Sequence, residues 1–128
     1  MTGRIAISIS SNSADRRSIM ALTVRWLMSN FDNVTVSDIY EMEAINGVDA
    51  PYLNAVAIAS TDSPPEAITA KLKQWEKECG RTPSSKSVGI IPMDLDLIIW
   101  NGTILRPREF NRAYFSRGYN EINGSEHA

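Results

Sequence analysis

Ile5, Ile7 and Ile9 alternate with Arg4, Ala6 and Ser8. A period of two fits a β-strand with one well-buried face and does not fit a helix. The polar cluster Ser10-Ser11-Asn12-Ser13 follows and can cap a helix, and Ile19, Leu22, Val24, Trp26 and Leu27 place that helix at about 15–29. Val34, Val36 and Ile39-Tyr40 suggest a second strand over about 33–41. Asn46-Gly47, Asp49 and Pro51 mark a loop over 42–51. Residues 52–60, with Leu53, Ala55, Val56, Ala57 and Ile58, read as a central strand.

Ser63-Pro64-Pro65-Glu66 is a helix start, with Ser63 as the cap and Glu66 completing a capping box. Ile68, Leu72, Trp75 and Cys79 fall at helical spacing until Gly80 stops the run. A polar loop over 81–92 leads to a strand over 93–100 whose Leu95, Leu97 and Ile99 should share a face. Asn101-Gly102 signals a tight turn, residues 103–106 a short returning strand, and 111–119 a last helix. The order β-α-β-β-α-β predicts an α+β, ferredoxin-like sandwich with helices on one face of an antiparallel sheet.

Composition narrows the function classes. With 128 residues, 43% hydrophobic, the chain can bury a core as a single domain over 1–128. Thirteen basic and 15 acidic residues leave a formal charge of −2, which argues against a dedicated nucleic-acid surface. Cys79 is the only cysteine, so neither an intramolecular disulfide nor a cysteine-only metal site is available. His127, the only histidine, lies next to the C-terminus and is a poor candidate for a catalytic base or metal ligand. No stretch approaches the ~20 apolar residues of a membrane span, and no apolar leader block opens the chain. The expectation is a cytoplasmic monomer or weak homodimer with no membrane or nucleic-acid partner.

The chemistry-bearing motif is Asp94-Leu95-Asp96, at the start of an apolar strand. Side chains alternate along a strand, so Asp94 and Asp96 project together, their Cα atoms roughly 7 Å apart. Such a pair reads either as a solvated acidic face or as a site for a hard divalent cation. An all-oxygen set without His or Cys favours Mg²⁺ over Zn²⁺.

Tyr52-Leu53-Asn54-Ala55, the Pro-Glu helix start, Gly80-Arg81, Gly89 and Asp94-Leu95-Asp96, taken together over residues 5–122, resemble the 6-hydroxymethyl-7,8-dihydropterin pyrophosphokinases of folate synthesis. The resemblance implies the same ferredoxin-like fold. It also implies an ATP-dependent reaction in which the pterin hydroxyl attacks the β-phosphorus and AMP leaves. By this resemblance Asp94 and Asp96 hold Mg²⁺, two ions in all, on the ATP triphosphate. Tyr52, Asn54 and Tyr114 bind the pterin alcohol, the rings by stacking and the amide by reading its edge. Glu76 and Arg112 lie near the nucleotide, and Arg81 and Arg112 are the candidate catalytic residues.

The chain departs from the family pattern where phosphate is gripped. Ser10-Ser11-Asn12 replaces Gly-Ser-Asn, Met42-Glu43 replaces Thr-Pro, and Gly89-Ile90-Ile91 replaces Gly-Pro-Arg. The loop Thr82–Val88 offers Lys86 where the family has several arginines and a tryptophan, and Pro107-Arg108 replaces Pro-His. An arginine fork makes bidentate contacts to phosphate that Ser, Pro or Ile cannot supply. The sequence alone therefore leaves open an active enzyme, a weak or inactive ligand-binding relative, and an unrelated ferredoxin-like interaction module.

Overall fold

The computed structural model describes residues 3–125; His127 lies outside them. The elements are β1 (Gly3–Ser11), α1 (Arg16–Asn30), β2 (Asp32–Val36), β3 (Tyr40–Met42), β4 (Tyr52–Thr61), α2 (Pro65–Glu78), α3 (Ser85–Val88), β5 (Asp94–Trp100), β6 (Thr103–Ile104), α4 (Pro107–Phe110) and α5 (Ala113–Ser125). The strands form one six-stranded sheet in the order β2-β4-β1-β5-β6, with β3 also paired to β4. All pairs are antiparallel. This is the ferredoxin-like α+β arrangement that the element order implied, except that the helices lie on both faces of the sheet and not on one, because α5 covers the second face.

Two apolar layers sit on opposite faces of the sheet. Ile5, Ile7 and Ile9 of β1, Ala55, Ala57 and Ala59 of β4, and Leu95 and Leu97 of β5 pack against Met20 and Leu27 of α1 and Ile68 and Leu72 of α2. The three alanines let the helices approach the central strand closely. Trp26 of α1 stacks on Trp75 of α2 with ring centroids 5.3 Å apart, and Trp75 Nε1 donates to Thr23 Oγ1, so the two helices hold each other's spacing. The opposite face carries Ala6, Val56, Ile58 and Ile98, covered by Phe115 and Ile122 of α5. This last helix, outside the β-α-β-β-α-β pattern, closes the second layer.

Four local expectations are corrected. The strand foreseen over 33–41 is two strands, because Ser37 breaks it. Its amide donates to the Val56 carbonyl while its hydroxyl accepts the Val56 amide, a side chain taking over a ladder position. Ile99 does not share a face with Leu95 and Leu97. The ladder pairs Ala6 with Ile99 and Ile7 with Leu97, so Ile98 bulges and both isoleucines turn toward the α5 layer. Ser63 does not cap α2: Pro64 holds the cap position with no side-chain bond, and the Ser63 carbonyl instead accepts Trp100 Nε1. The helix foreseen over 111–119 is α5, which begins at Ala113 and runs to Ser125, and a separate short helix, α4, ends just before the segment at Phe110.

Gly80 behaves as expected. At φ +102° it takes the left-handed position after α2, its amide donating to Lys77 O and that of Arg81 to Glu76 O. This turn delivers Arg81 to the end of β5.

Candidate active site

The acidic pair sits where β5 faces the α5 layer. Asp94 pairs with Ser10 of β1 and Asp96 with Ser8, so both carboxylates share one face, as alternation requires. Beside them opens a cleft of about 560 Å³. Asp94, Tyr52, Asn54, Arg112 and Tyr114 all line it, and the loop 42–49 forms its far wall. Five candidates from three separate stretches of sequence thus converge on one cavity.

The cleft floor is ordered by hydrogen bonds. Ser10 Oγ donates to Asn54 Oδ1 at 2.7 Å, and Asn54 Nδ2 donates to the Tyr52 carbonyl at 3.3 Å. The buried amide is therefore fixed, with an N–H and an oxygen lone pair left over. Tyr52 and Tyr114 remain neutral phenols. Burial, Asp94 and Asp49 raise the pKa of Tyr52; burial, with Glu109, Asp96 and Asp94, pushes Tyr114 up to about 12.

Asn12 joins the rims. Its side chain donates to Ala50 O and Gly89 O and accepts the Ile91 amide, fastening the loops 43–51 and 81–92 to the end of β1.

Cations surround the carboxylates. Arg81 NH1 lies 3.0 Å from Asp94 Oδ1 and 3.3 Å from Glu76 Oε1. Lys73 Nζ and Arg106 NH1 each approach Asp96 Oδ1 to 3.8 Å. Asp96 is 14% exposed, and its pKa is raised from 3.8 to about 6, by burial first and by Asp94 second, against the pull of Arg106 and Lys73. Lys73 and Arg106 were not found from sequence. Lys73 lay hidden in the i,i+3 spacing to Glu76 on α2, and Arg106 follows a two-residue strand too short to anticipate.

Glu76 stands apart from the cleft. Its Oε2 accepts the Leu95 amide at 2.8 Å while Lys73 Nζ donates to the Leu95 carbonyl and Arg81 to that of Met93. These side chains cap the edge of β5 that β1 leaves unpaired.

The donor set fits Mg²⁺. Among the described residues no group of three or more His, Cys, Asp or Glu is placed to hold a metal. Two carboxylates alone suit an ion that completes its shell with water and phosphate oxygens.

A family model for 7,8-dihydro-6-hydroxymethylpterin-pyrophosphokinase matches residues 6–124. The chain belongs to this family. It is 31% identical over 98 residues to a folate synthesis bifunctional protein of Arabidopsis thaliana, covering 75% of this chain and 20% of that one. It is 30% identical over 101 residues to a 2-amino-4-hydroxy-6-hydroxymethyldihydropteridine pyrophosphokinase of Porphyromonas gingivalis, covering 74% of this chain and 67% of the relative. The chain thus spans about one fifth of the plant protein and about two thirds of the bacterial one. In this chain Arg81, Lys73 and Arg106 supply positive charge beside the acidic pair although the loop 82–88 is poor in it.

Proposed function

We propose that this chain is an ATP-dependent pyrophosphokinase acting on 6-hydroxymethyl-7,8-dihydropterin in folate synthesis, working as a single domain over 1–128. One observation carries the reading. The cleft places two aromatic rings and an oriented amide, suited to a flat heterocycle, beside a carboxylate pair ringed by cations, suited to a polyphosphate.

Tyr52 and Tyr114 stack the pterin, and Asn54 reads its edge through the donor and acceptor that Ser10 leaves available. The pterin hydroxymethyl oxygen attacks the β-phosphorus of ATP, the bond from that phosphorus to the α-phosphate bridging oxygen breaks, AMP leaves, and the hydroxyl proton passes to solvent. Catalysis of this kind rests on alignment and charge neutralisation. Asp94 and Asp96 are the residues that would hold Mg²⁺, two ions in this reading, and the metal would neutralise charge on the triphosphate. Arg81, as a catalytic cation, and Arg106 and Lys73 then turn from the carboxylates to phosphate oxygens, and Arg112, the other catalytic cation, reaches them from the cleft wall. Glu76 serves the nucleotide indirectly, by keeping β5 and Arg81 in place.

No helix among the described residues is long and apolar enough to cross a membrane. The accompanying reading is a cytoplasmic monomer or weak homodimer with ATP and the pterin alcohol as its small-molecule partners and no nucleic-acid or membrane partner.

The test is AMP release by the purified protein with ATP, Mg²⁺ and the dihydropterin alcohol. AMP must appear only when both substrates are present and must disappear in an Asp94→Ala, Asp96→Ala variant. Release no faster than in that variant overturns the assignment.

A further inference from the structure

Tyr40 lies outside the cleft, yet its hydroxyl occupies an unusual place. It donates to the carbonyl of Tyr114 and accepts the amide of Gly118. In an undisturbed α-helix those two groups pair with each other. A phenol from β3 therefore sits in the first turn of α5, at the residue whose ring lines the cleft.

The surroundings are built for this contact. A Cβ on residue 118 would fall 2.9 Å from the Tyr40 hydroxyl, 2.8 Å from Ser37 Oγ and 2.9 Å from a Val56 methyl, so only glycine lets the helix come so near. The Arg117 guanidinium covers the Tyr40 ring at 4.9 Å. Glu121 Oε2 accepts the Asp38 amide and fixes the same segment one turn further along α5. Burial raises the pKa of the Tyr40 phenol, so the group remains a donor at neutral pH.

The strand carrying Tyr40 is also paired with the stretch of β4 that bears Tyr52 and Asn54. In the β3–β4 register Tyr40 pairs with Asn54, and Met42 pairs with Tyr52. The backbone of β3 thus meets Asn54 and Tyr52, and the Tyr40 hydroxyl meets Tyr114.

We infer that Tyr40 is the positioning residue that fixes the Tyr114 ring opposite Tyr52 and Asn54, so that removing its hydroxyl weakens recognition of the flat ring and leaves the nucleotide side untouched. The inference rests on the reading of the cleft given above. Without the hydroxyl the Tyr114 carbonyl and Gly118 amide can pair directly, and the start of α5, with the Tyr114 ring, shifts.

A double-mutant cycle tests this, because an effect transmitted through Tyr114 disappears when its ring is absent. Pterin binding is measured by fluorescence titration in Mg²⁺ and a non-hydrolysable ATP analogue, for the unsubstituted protein, Tyr40→Phe, Tyr114→Ala and the double variant. Tyr40→Phe should raise the Kd for 6-hydroxymethyl-7,8-dihydropterin about tenfold or more, a misplacement effect. The Kd for the analogue alone should stay within about twofold. In the Tyr114→Ala background the added loss should vanish. An unchanged pterin Kd, an equal loss for the analogue, or a loss that persists without the Tyr114 ring overturns the positioning role.

A second measurement needs no variant. The Gly118 amide resonance of the unsubstituted protein should move on addition of pterin and stay still on addition of the analogue alone; the reverse pattern also overturns the role. Failure of the unsubstituted protein to bind the pterin overturns the reading of the cleft, and this inference with it.

Discussion

Asp96→Asn should stabilise the protein while abolishing its activity. The Asp96 carboxyl titrates at about 6 in the folded chain instead of 3.8, because it is buried beside Asp94 and Glu76. In the unfolded chain it ionises at its ordinary value. Between these limits the unfolded state binds fewer protons than the folded one, so stability falls as pH rises through the window. Above pH 6 the whole penalty is present; below 3.8 it is gone. At about 1.4 kcal/mol per pH unit the difference amounts to about 3 kcal/mol. Lys73 and Arg106 already offset part of the repulsion, and being half-exposed they rehydrate when the charge is removed. Asn keeps the side-chain shape without the charge. Urea denaturation at pH 8 should show its midpoint raised by about 1–2 M, given typical slopes for small domains. At pH 4 the two proteins should unfold together, since folded Asp96 is then already neutral. A variant no more stable than the unsubstituted protein at pH 8, or equally stabilised at both pH values, refutes the reasoning.

Other outcomes follow from the same geometry. Mg²⁺ binding in the presence of an ATP analogue should weaken as pH drops through about 6 more steeply than the analogue's own phosphate titration requires, because the proton on Asp96 competes with the metal; calorimetry across pH 5–8 would show the same pH profile for the unsubstituted protein and Asp96→Asn if Asp96 were not a ligand. Asn12→Ala strips the side-chain bonds to Ala50, Gly89 and Ile91 and leaves buried groups without partners, so a loss of about 2–4 kcal/mol is expected, with faster amide exchange in 43–51 and 81–92. Exchange unaltered in both loops would contradict the fastening role. Gly118→Ala drives a methyl against Ser37, Tyr40 and Val56 and should lower stability by about 1–3 kcal/mol in denaturant titration, whereas a neutral effect would mean α5 can retreat freely.

The sandwich was legible because its signals are local. The alternation of Ile5, Ile7 and Ile9, the alanine-rich run 52–60 and the Gly80 stop each depend on neighbours in sequence. Asp94 and Asp96 followed from alternation alone, and the cleft residues from resemblance. What escaped depends on distant partners. Ser37 breaks a strand only because Val56 stands opposite, and Ile99 changes face only because β1 and β5 slip by one residue. Lys73 and Arg106 look like ordinary solvated cations until the sheet edge brings Asp96 between them. The loop 82–88 is poor in charge, and the folded chain brings positive charge to the acidic pair from a helix and from the segment after β6.

The capped rim of β5 ties two properties together. Lys73, Glu76 and Arg81 occupy the part of the outer edge of β5 that the short β6 does not reach, and two of the three also touch the acidic pair. A change among them that alters the charge beside Asp94 and Asp96 will at the same time bare the backbone of Leu95 or Met93 to water or to a second chain. Substitutions at these positions should therefore lower solubility, unless a compensating donor and acceptor arrive from elsewhere.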